Sequence, residues 1–443
     1  MLNKCLKIIS LLFLLSVISF SQTYNWEVAD PNLPTAARYD DISFVNPNLG
    51  WAVNSSGQIF KTTNGGNSWT MQLQTGAYFR CVKFADSLNG WAGTLDNTQL
   101  LYHTTDSGDH WNLVTNIPTS PVSPKRICGL FVVNKNIVYG SGAYDGPAVI
   151  IKTTDGGANW QAIDMRNYAT NLIDCYFVNK DSGFVVGGSP NAIFNPNTGT
   201  TKVVVLYTTD GGTTWITRYT GTNTPEWGWK INFPTPLVGY ISVENFTAGS
   251  ILRTTNRGMT WTKYDVPNLD DLEGIGFINE MTGWVGSRQM FSGYNAQLTT
   301  DGGSNWQSVN VGEHLNRFQF FGDTLAYAAG ITIYKYVKQN ATAIKNERYY
   351  PKSFFLSQNY PNPFNPSTTI EYTLPEPAQV TIRIYDGLGK ELRTILDVYQ
   401  TSGIHKVKWD GKDSNGILVA SGFYIYRIDA GGKAESKMMV LMK

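Results

Sequence analysis

The sequence has 443 residues, enough for two or three domains, and only 16% of them are charged. The formal net charge is +1, and no basic run is present that could neutralise a phosphate backbone, which argues against nucleic acid as a partner. Aromatic residues make up 13% of the chain and 43 residues are glycine, a composition typical of all-β chains rich in turns.

The first 21 residues are predicted to be a signal peptide. Residues 1–7 contain two lysines, residues 8–20 are largely apolar, and the segment ends in Ser19-Phe-Ser21. The apolar run is too short to span a bilayer comfortably, and no later segment is apolar enough to do so. A buried N-terminal helix is the alternative, and the strand-like residues that follow disfavour it. We therefore expect an exported mature chain that begins at Gln22 and is soluble or tethered to a surface.

Three cysteines remain once Cys5 has left with the signal peptide, and an odd number gives no complete disulfide framework. We interpret Cys81, Cys128 and Cys175 as small buried residues of β-strands. A disulfide between two of them is the alternative.

An octapeptide of the form Thr-Thr-Asp/Asn-x-Gly-x-x-Trp occurs six times, beginning at residues 62, 104, 153, 208, 254 and 299. Its tryptophans are spaced by 42, 49, 55, 46 and 45 residues. A period near 45 with strand-like content predicts the blades of a β-propeller.

Three positions of each octapeptide are predicted to shape the turn between the third and fourth strands. The glycine supplies a positive φ, the Asp or Asn bonds the turn's own amides, and the Trp covers the turn. A calcium site at the Asp is the alternative, but one carboxylate per turn supplies too few oxygens. The residues are Asn64, Gly66, Trp69, Asp106, Gly108, Trp111, Asp155, Gly157, Trp160, Asp210, Gly212, Trp215, Asn256, Gly258, Trp261, Asp301, Gly303 and Trp306.

A second pattern precedes each octapeptide: a Phe, then six residues later a Gly followed by an aromatic residue, as in Phe44 and Gly50-Trp. With it, each repeat divides into four strands. Residues 320–336 supply three strands of a seventh blade that has no octapeptide. We expect residues 24–28 to join it and close the ring, which removes the open sheet edge. The prediction is a seven-bladed β-propeller over residues 22–337.

The six octapeptides resemble the Asp-box (BNR) repeats of sialidases and sortilin-like propellers. Together with the Gly-aromatic pattern, they are similar to propellers of the photosystem II assembly and stability factor family. The resemblance covers residues 24–337. It is specific for the fold and implies little about function, which lies in sites carried by the fold.

Residues 338–353 are predicted to be a linker, and residues 354–443 a small Ig-like β-sandwich of six or seven short strands. This last segment resembles the C-terminal sorting domain of the type nine secretion system. The resemblance lies in Gln358-Asn-Tyr-Pro-Asn-Pro-Phe-Asn-Pro366, Trp409-Asp-Gly411, Ala420-Ser-Gly-Phe-Tyr-Ile-Tyr426 and Lys437-Met-Met-Val-Leu-Met-Lys443. It implies the type nine secretion machinery as a partner, and a secreted or outer-membrane surface location in a Bacteroidota-like bacterium. An ordinary Ig-like binding module, similar to the flagellar hook-capping type, is the alternative.

Ligands of propellers usually meet the ring near the starts of the innermost strands. The starts predicted here carry arginine, acidic and aromatic residues, which suit carbohydrate, carboxylate or peptide binding. The same segments also carry Trp227 and Asp271, and a solvated rim with incidental charges is the alternative. The candidate ligand-binding residues are Arg38, Asp40, Arg80, Arg126, Trp229, Glu273 and Arg317.

We expect no catalytic residue, no metal and no cofactor, because no Cys/His cluster has zinc spacing and no Ser-His-Asp arrangement is supported. The first alternative function is a sialidase-like glycoside hydrolase using Asp40 or Glu273 with the arginines. The Arg-Ile-Pro signature that opens sialidases is absent, with only Arg126-Ile-Cys128 in its place. The second alternative is an assembly or stability factor for a membrane complex. The favoured prediction is a secreted or cell-surface, non-catalytic propeller that binds a glycan or protein ligand.

Overall fold

The computed structural model describes residues 24–36, 38–288, 296–338, 354–359, 361–400 and 403–442. The regular elements within these ranges are β-strands, and the chain divides into two compact units between residues 339 and 340. No helix in the described ranges is long and apolar enough to cross a membrane. The predicted signal peptide lies outside the described residues, as do residues 339–353 of the predicted linker. Lys338, assigned to that linker, is instead the last residue of a strand because its backbone pairs with Tyr24.

The first unit contains seven four-stranded antiparallel sheets in its described residues, numbered here in chain order. Sheet 1 comprises β2 (Tyr39–Phe44), β3 (Gly50–Asn54), β4 (Gln58–Thr62) and β5 (Thr70–Gln74); sheet 2 comprises β6 (Phe79–Phe84), β7 (Gly90–Thr94), β8 (Leu101–Thr104) and β9 (Asn112–Leu113). Sheet 3 comprises β10 (Gly129–Asn134), β11 (Ile137–Gly142), β12 (Val149–Thr153) and β13 (Gln161–Asp164); sheet 4 comprises β14 (Asn171–Phe177), β15 (Gly183–Gly188), β16 (Val203–Thr208) and β17 (Ile216–Thr220). Sheet 5 comprises β18 (Trp227–Asn232), β19 (Gly239–Glu244), β20 (Gly249–Thr254) and β21 (Thr262–Val266); sheet 6 comprises β22 (Leu272–Phe277), β23 (Gly283–Ser287), β24 (Ala296–Thr299) and β25 (Gln307–Val309). Sheet 7 comprises β26 (Arg317–Phe321), β27 (Leu325–Ala329), β28 (Ile333–Lys338) and β1 (Tyr24–Val28).

The sheets form a closed ring. The first strand of each sheet contacts the first strand of the next, and β26 of sheet 7 contacts β2 of sheet 1. The predicted closure by residues 24–28 is present: β1 pairs antiparallel with β28, with Trp26 opposite Tyr336. Side chains of first strands also meet across the ring, as between Arg317 of sheet 7 and Asp174 of sheet 4. The first strands therefore line the centre of the ring.

The Phe–Gly–aromatic pattern explains how neighbouring sheets pack. The ring of Phe44 lies across Gly50, where a Cβ atom would be 2.3 Å from the phenylalanine Cδ1. The aromatic residue after the glycine then stacks on the corresponding Phe of the next sheet, with ring centroids 3.4 Å apart for Trp51 and Phe84. The same contact closes the ring, because Tyr327 of sheet 7 stacks on Phe44 at 3.9 Å. The pattern thus provides the packing between blades.

The octapeptides close the turn between the third and fourth strands. In sheet 4, Thr208 Oγ1 accepts a hydrogen bond from the amide of Gly212 at 2.9 Å and donates to Asp210 Oδ1 at 2.9 Å. Asp210 Oδ1 also accepts from the amide of Thr214, and the indole of Trp215 donates to the carbonyl of Gly212 at 3.0 Å. The corresponding glycine of all six octapeptides has a φ between 74° and 92°. The octapeptide residues therefore have a structural role, which is to stabilise the turn between the third and fourth strands.

The three cysteines are buried free thiols. Cys81 lies in β6 and Cys175 in β14, as expected of strand residues. Cys128 directly precedes β10 and is not itself in a strand, so the interpretation was wrong for this residue. Its backbone amide donates a hydrogen bond to the carbonyl of Ser141.

The second unit has two sheets that share one hydrophobic core. Trp409 and Tyr426 are completely buried in that core. Phe355 and Leu356 pair with the following strand, so the described residues contain seven strands, the larger of the two predicted numbers. The sheets are β29 (Phe355–Leu356), β30 (Thr368–Leu374) and β33 (Gly403–Trp409), and β32 (Glu391–Gln400), β31 (Ala378–Asp386), β34 (Gly422–Ala430) and β35 (Lys433–Leu441).

Candidate functional site

Irregularities at the starts of the first strands place side chains at one end of the ring, which we call the mouth. The regular pairing of the first two strands skips Asp40 in sheet 1, Arg80 in sheet 2 and Glu273 in sheet 6. In sheet 5 the pairing skips Trp229 and Lys230. A β-bulge turns a side chain away from its regular direction. Asp40, Arg80 and Trp229 thereby come into contact at the mouth.

Five of the seven candidate residues come together in what we call the mouth cluster: Arg38, Asp40, Arg80, Trp229 and Glu273. Arg38 donates to Asp40 Oδ1 at 2.6 Å and to Glu273 Oε1 at 2.7 Å. Arg80 donates to the same oxygen of Asp40 at 2.5 Å, and its guanidinium lies 4.6 Å from the ring of Trp229. Asp40 and Glu273 have no solvent exposure. The charged groups of the cluster therefore pair with one another, although one polar atom each of Asp40, Arg80 and Glu273 has no hydrogen-bond partner in the described residues.

Arg317 belongs to a separate group of charges. It donates to Asp41 Oδ1 at 2.9 Å and to Asp174 Oδ1 at 3.1 Å, and Lys83 also binds Asp41. Burial disfavours ionised Asp41, but Arg317 and Lys83 outweigh it and lower the pKa of this carboxyl to about 2. Lys230 is completely buried in the same group, and its Nζ has no hydrogen-bond partner in the described ranges. Burial, aided by the nearby Arg317 and Arg80, lowers the pKa of Lys230 to about 7.

Arg126 lies apart from both groups. It has a φ of 66°, and its guanidinium pairs with Asp145 Oδ2 at 2.5 Å. Both side chains are partly exposed, at 30% and 46%. The structure therefore places Arg126 on the surface, while the other six candidates are buried or nearly so.

Glu244 and Asp271 complete a trio of buried carboxylates with Glu273. One oxygen from each lies within 4.8 Å of the others. Burial and the adjacent charges of Asp271 and Glu273 raise the pKa of Glu244 well above its usual value, and burial also raises that of Glu273. Glu244 is not among the residues that the sequence predicts. Antiparallel pairing offered a signal, because the end of β19 must lie opposite the start of β18, and Glu244 pairs with Trp227.

Aromatic side chains surround these charges at the mouth. Tyr144, Phe194 and Phe246 are half-buried, lie in the loops between the second and third strands of sheets 3, 4 and 5, and are called here the aromatic rim. The ring of Tyr144 is 4.9 Å from that of Phe194 and 5.7 Å from that of Trp229. The ring of Trp227 is 4.9 Å from Phe194 and 6.2 Å from Phe246. The rim therefore continues the aromatic surface that begins at Trp229.

The rim was missed from the sequence, although the repeat spacing contained a signal. The interval of 55 residues exceeds the period of about 45 and marks an insertion in sheet 4. In sheet 4 the insertion is residues 189–202, which carries Phe194, whereas the corresponding loop of sheet 1 is residues 55–57. Loops carried by a rigid scaffold are where binding residues concentrate.

These features define an Asp-box β-propeller with a charged, aromatic-lined mouth, followed by a small β-sandwich. Residues 18–163 match the family described as photosynthesis system II assembly factor YCF48, and residues 365–433 match the FlgD Ig-like domain. The prediction of an all-β chain with a propeller and an Ig-like domain is confirmed.

Two cyanobacterial relatives are similar to part of the chain. The photosystem II assembly lipoprotein Ycf48 of Synechococcus sp. (strain CC9902) is 30% identical over 141 residues, covering 31% of this chain and 39% of that protein. The protein of the same name from Nostoc sp. (strain PCC 7120 / SAG 25.82 / UTEX 2576) is 37% identical over 148 residues, covering 32% and 40%. The chain therefore spans about two fifths of the length of these curated relatives.

A solved structure described as YCF48 bound to D1 peptide matches the fold with a TM-score of 0.52. It is 18% identical, and the match covers 71% of this chain and 97% of that one. At this identity the similarity concerns the fold, and it extends through most of the ring.

Proposed function

We propose that the first unit is a non-catalytic binding domain that holds a segment of a protein ligand at its mouth. The observation that carries this proposal is the aromatic rim, three partly exposed rings, with Asp145 of the Arg126–Asp145 ion pair directly following Tyr144 in the chain. Half-exposed aromatic side chains offer large contact areas at a low cost in conformational entropy, and they dominate many protein interfaces. The ion pair supplies polar groups that can fix the orientation of a bound backbone.

A peptide is the favoured ligand because a relative with the same fold was solved with one, the D1 peptide. The rim also suits the shape of a chain segment, because its three residues come from consecutive sheets and follow the curve of the ring. A glycan remains the other ligand class that aromatic and arginine residues suit, and the binding experiment separates the two.

The burial of the acidic residues supports a non-catalytic role. A glycoside hydrolase needs two carboxyl groups that reach the substrate, one of which must donate a proton. Asp40 and Glu273 are completely buried, and both accept hydrogen bonds from Arg38. Asp40 also pairs with Arg80, so its side chain is held within the cluster rather than directed at a substrate.

Binding is tested by screening the purified full chain on a peptide array and a glycan array, with sialoside and glucan hydrolysis assays alongside. For a peptide hit, we expect Tyr144→Ala and Phe246→Ala each to raise the Kd by about tenfold or more, as expected for interface aromatics. Met71→Ala is the matched control, since this side chain is 50% exposed on the outer strand β5 and should leave the Kd unchanged. Glycan hits that depend on the same residues would replace the peptide in this proposal, and turnover in the hydrolysis assays would refute the non-catalytic role.

We further propose that the chain is exported and that residues 354–443 direct it across the outer membrane through the type nine secretion machinery. The support is the basic and small-residue pattern of the N-terminus, the motifs of the C-terminal segment and its Ig-like fold. The location would then be the cell surface or the medium. In the source bacterium, a chain truncated after residue 353 should remain in the periplasm while the full chain reaches the surface. Equal export of both chains would assign the domain to binding rather than sorting.

A second candidate function is assistance in the assembly of a membrane protein complex. Its support is the similarity of residues 18–163 to the YCF48 family and to two photosystem II assembly lipoproteins. Deletion of the gene should then reduce the amount of one assembled membrane complex without reducing its transcripts. Restoration by the wild-type chain and not by a Tyr144→Ala/Phe246→Ala chain would connect that role to the rim.

A further inference from the structure

We propose that Glu244, Asp271 and Glu273 bind a hard divalent cation, with Ca²⁺ as the best-fitting ion. This site lies beside the aromatic rim, and its existence does not depend on what the rim binds. The three residues come from two adjacent sheets: Glu244 ends β19 of sheet 5, Glu273 lies near the start of β22 in sheet 6, and Asp271 immediately precedes β22.

The unpaired oxygens of Asp271 give the first support. Asp271 is completely buried, and neither of its carboxylate oxygens has a hydrogen-bond partner in the part of the chain that the structure describes. Glu273 Oε2 is buried and unpartnered in the same way. A buried polar atom without a partner costs about 1–3 kcal/mol, and more when it is charged. The side chain of Asp271 points at two other carboxylates, so only a cation or a proton can satisfy it.

The spacing of the oxygens fits a metal ion. Oxygen ligands lie 2.3–2.6 Å from Ca²⁺, so two ligands on opposite sides of the ion are about 5 Å apart and others are closer. The three carboxylates place an oxygen each within 4.8 Å of one another. The donors are all carboxylate oxygens, which favours hard cations over zinc or copper.

The local charge also favours a divalent ion. Four buried carboxylates, the trio and Asp40, face the two buried guanidinium groups of Arg38 and Arg80. When all six groups are ionised, two negative charges remain, which one divalent cation neutralises. Two of the carboxylates are also held by neighbouring side chains. Arg38 donates a hydrogen bond to Glu273 Oε1, and the indole of Trp227 donates one to Glu244 Oε2 at 2.5 Å. These contacts orient the carboxylates as outer-shell partners do in known metal sites.

The competing explanation is that the trio retains a proton and forms a carboxyl–carboxylate hydrogen bond. The two explanations differ in their response to metal. Under the proposal, the full chain stripped with EDTA gains thermal stability when Ca²⁺ is added, with a Tm that rises by several degrees and continues to rise with Ca²⁺ concentration. Under the proton explanation, added Ca²⁺ leaves the Tm unchanged, and that result would overturn the proposal without any variant.

Terbium luminescence locates the ion. Because the indole of Trp227 is bonded to Glu244, excitation of tryptophan should sensitise one equivalent of bound Tb³⁺, and Ca²⁺ should compete for it. We expect Asp271→Asn and Glu244→Gln each to weaken binding at least 100-fold. Glu280→Gln is the matched control, since Glu280 follows β22 in the same sheet and is exposed. Saturable binding that survives both Asp271→Asn and Glu244→Gln would place the ion elsewhere and refute the assignment.

Discussion

Replacing Trp51 with alanine should remove a contact on which two neighbouring sheets depend. Trp51 is completely buried, stacks on Phe84 of the next sheet with centroids 3.4 Å apart, and donates its indole N–H to the carbonyl of Ser107 at 3.0 Å. Truncation of a buried Trp to Ala costs about 3–5 kcal/mol. The lost hydrogen bond leaves a carbonyl unpaired at the turn of the sheet 2 octapeptide, which places our expectation at about 4–5 kcal/mol.

Urea unfolding of the full chain followed by tryptophan fluorescence measures this effect in the propeller, because Trp409 is the sole tryptophan beyond residue 338. Met71→Ala, an exposed site on the same sheet, should change the free energy of unfolding by less than about 0.5 kcal/mol. A double-mutant cycle with Phe84→Ala should give a coupling energy of about 1 kcal/mol for the stacked pair. Additive effects of Trp51→Ala and Phe84→Ala would show that stacking between sheets does not stabilise the ring and would refute this account of the Gly-aromatic pattern.

Three further perturbations test other parts of the fold. Trp26→Ala removes a ring that contacts Trp284 and Tyr336. Amide hydrogen exchange should therefore accelerate in residues 333–338, the strand that pairs with β1, before it accelerates in the other sheets. Equal acceleration in all seven sheets would contradict the idea that β1 stabilises sheet 7 locally. Thr208→Val removes the three hydrogen bonds of a buried hydroxyl and should cost about 1–3 kcal/mol in urea unfolding, whereas Thr217→Val on the exposed strand β17 should be close to neutral. Lys230 has a pKa of about 7 when folded and about 10.4 when unfolded, so the unfolded chain binds more protons between these values and stability should rise with pH. From pH 7 to 8.5 we expect a contribution of up to about 1.4 kcal/mol per pH unit that Lys230→Met abolishes, and identical slopes for the two proteins would refute it.

The sequence was most informative where a local requirement repeats. The octapeptide can be recognised because its turn needs a glycine with positive φ and an Asp or Asn that bonds nearby amides, and these needs recur at each blade. Ring closure by residues 24–28 was also predictable, since a seventh sheet with three strands requires a fourth. Both inferences follow from contacts that are local or that obey the repeat.

The site was less predictable because it depends on how different sheets meet at the centre. Strand starts identified Arg38, Asp40 and Glu273, but their close pairing depends on bulges that a repeat pattern does not reveal. Arg126 also precedes a first strand, so the sequence predicts it at the same site, yet its guanidinium pairs with Asp145 at the surface. Glu244 escaped notice since it lies at the end of a second strand.

The pairing of β1 with β28 has a consequence for how the protein is made. The two strands of this one sheet are separated by some 300 residues. Their pairing therefore carries a large cost in chain entropy, which only the contacts formed after ring closure offset. While the chain emerges from a ribosome or a translocation channel, sheets 1 to 6 can form from local hairpins, but the edge of β28 cannot be covered until residue 338 is free. Until then the growing propeller presents unpaired strand edges, a state prone to aggregation. The ring can therefore close only late in synthesis, once nearly all residues of the first unit are available to fold.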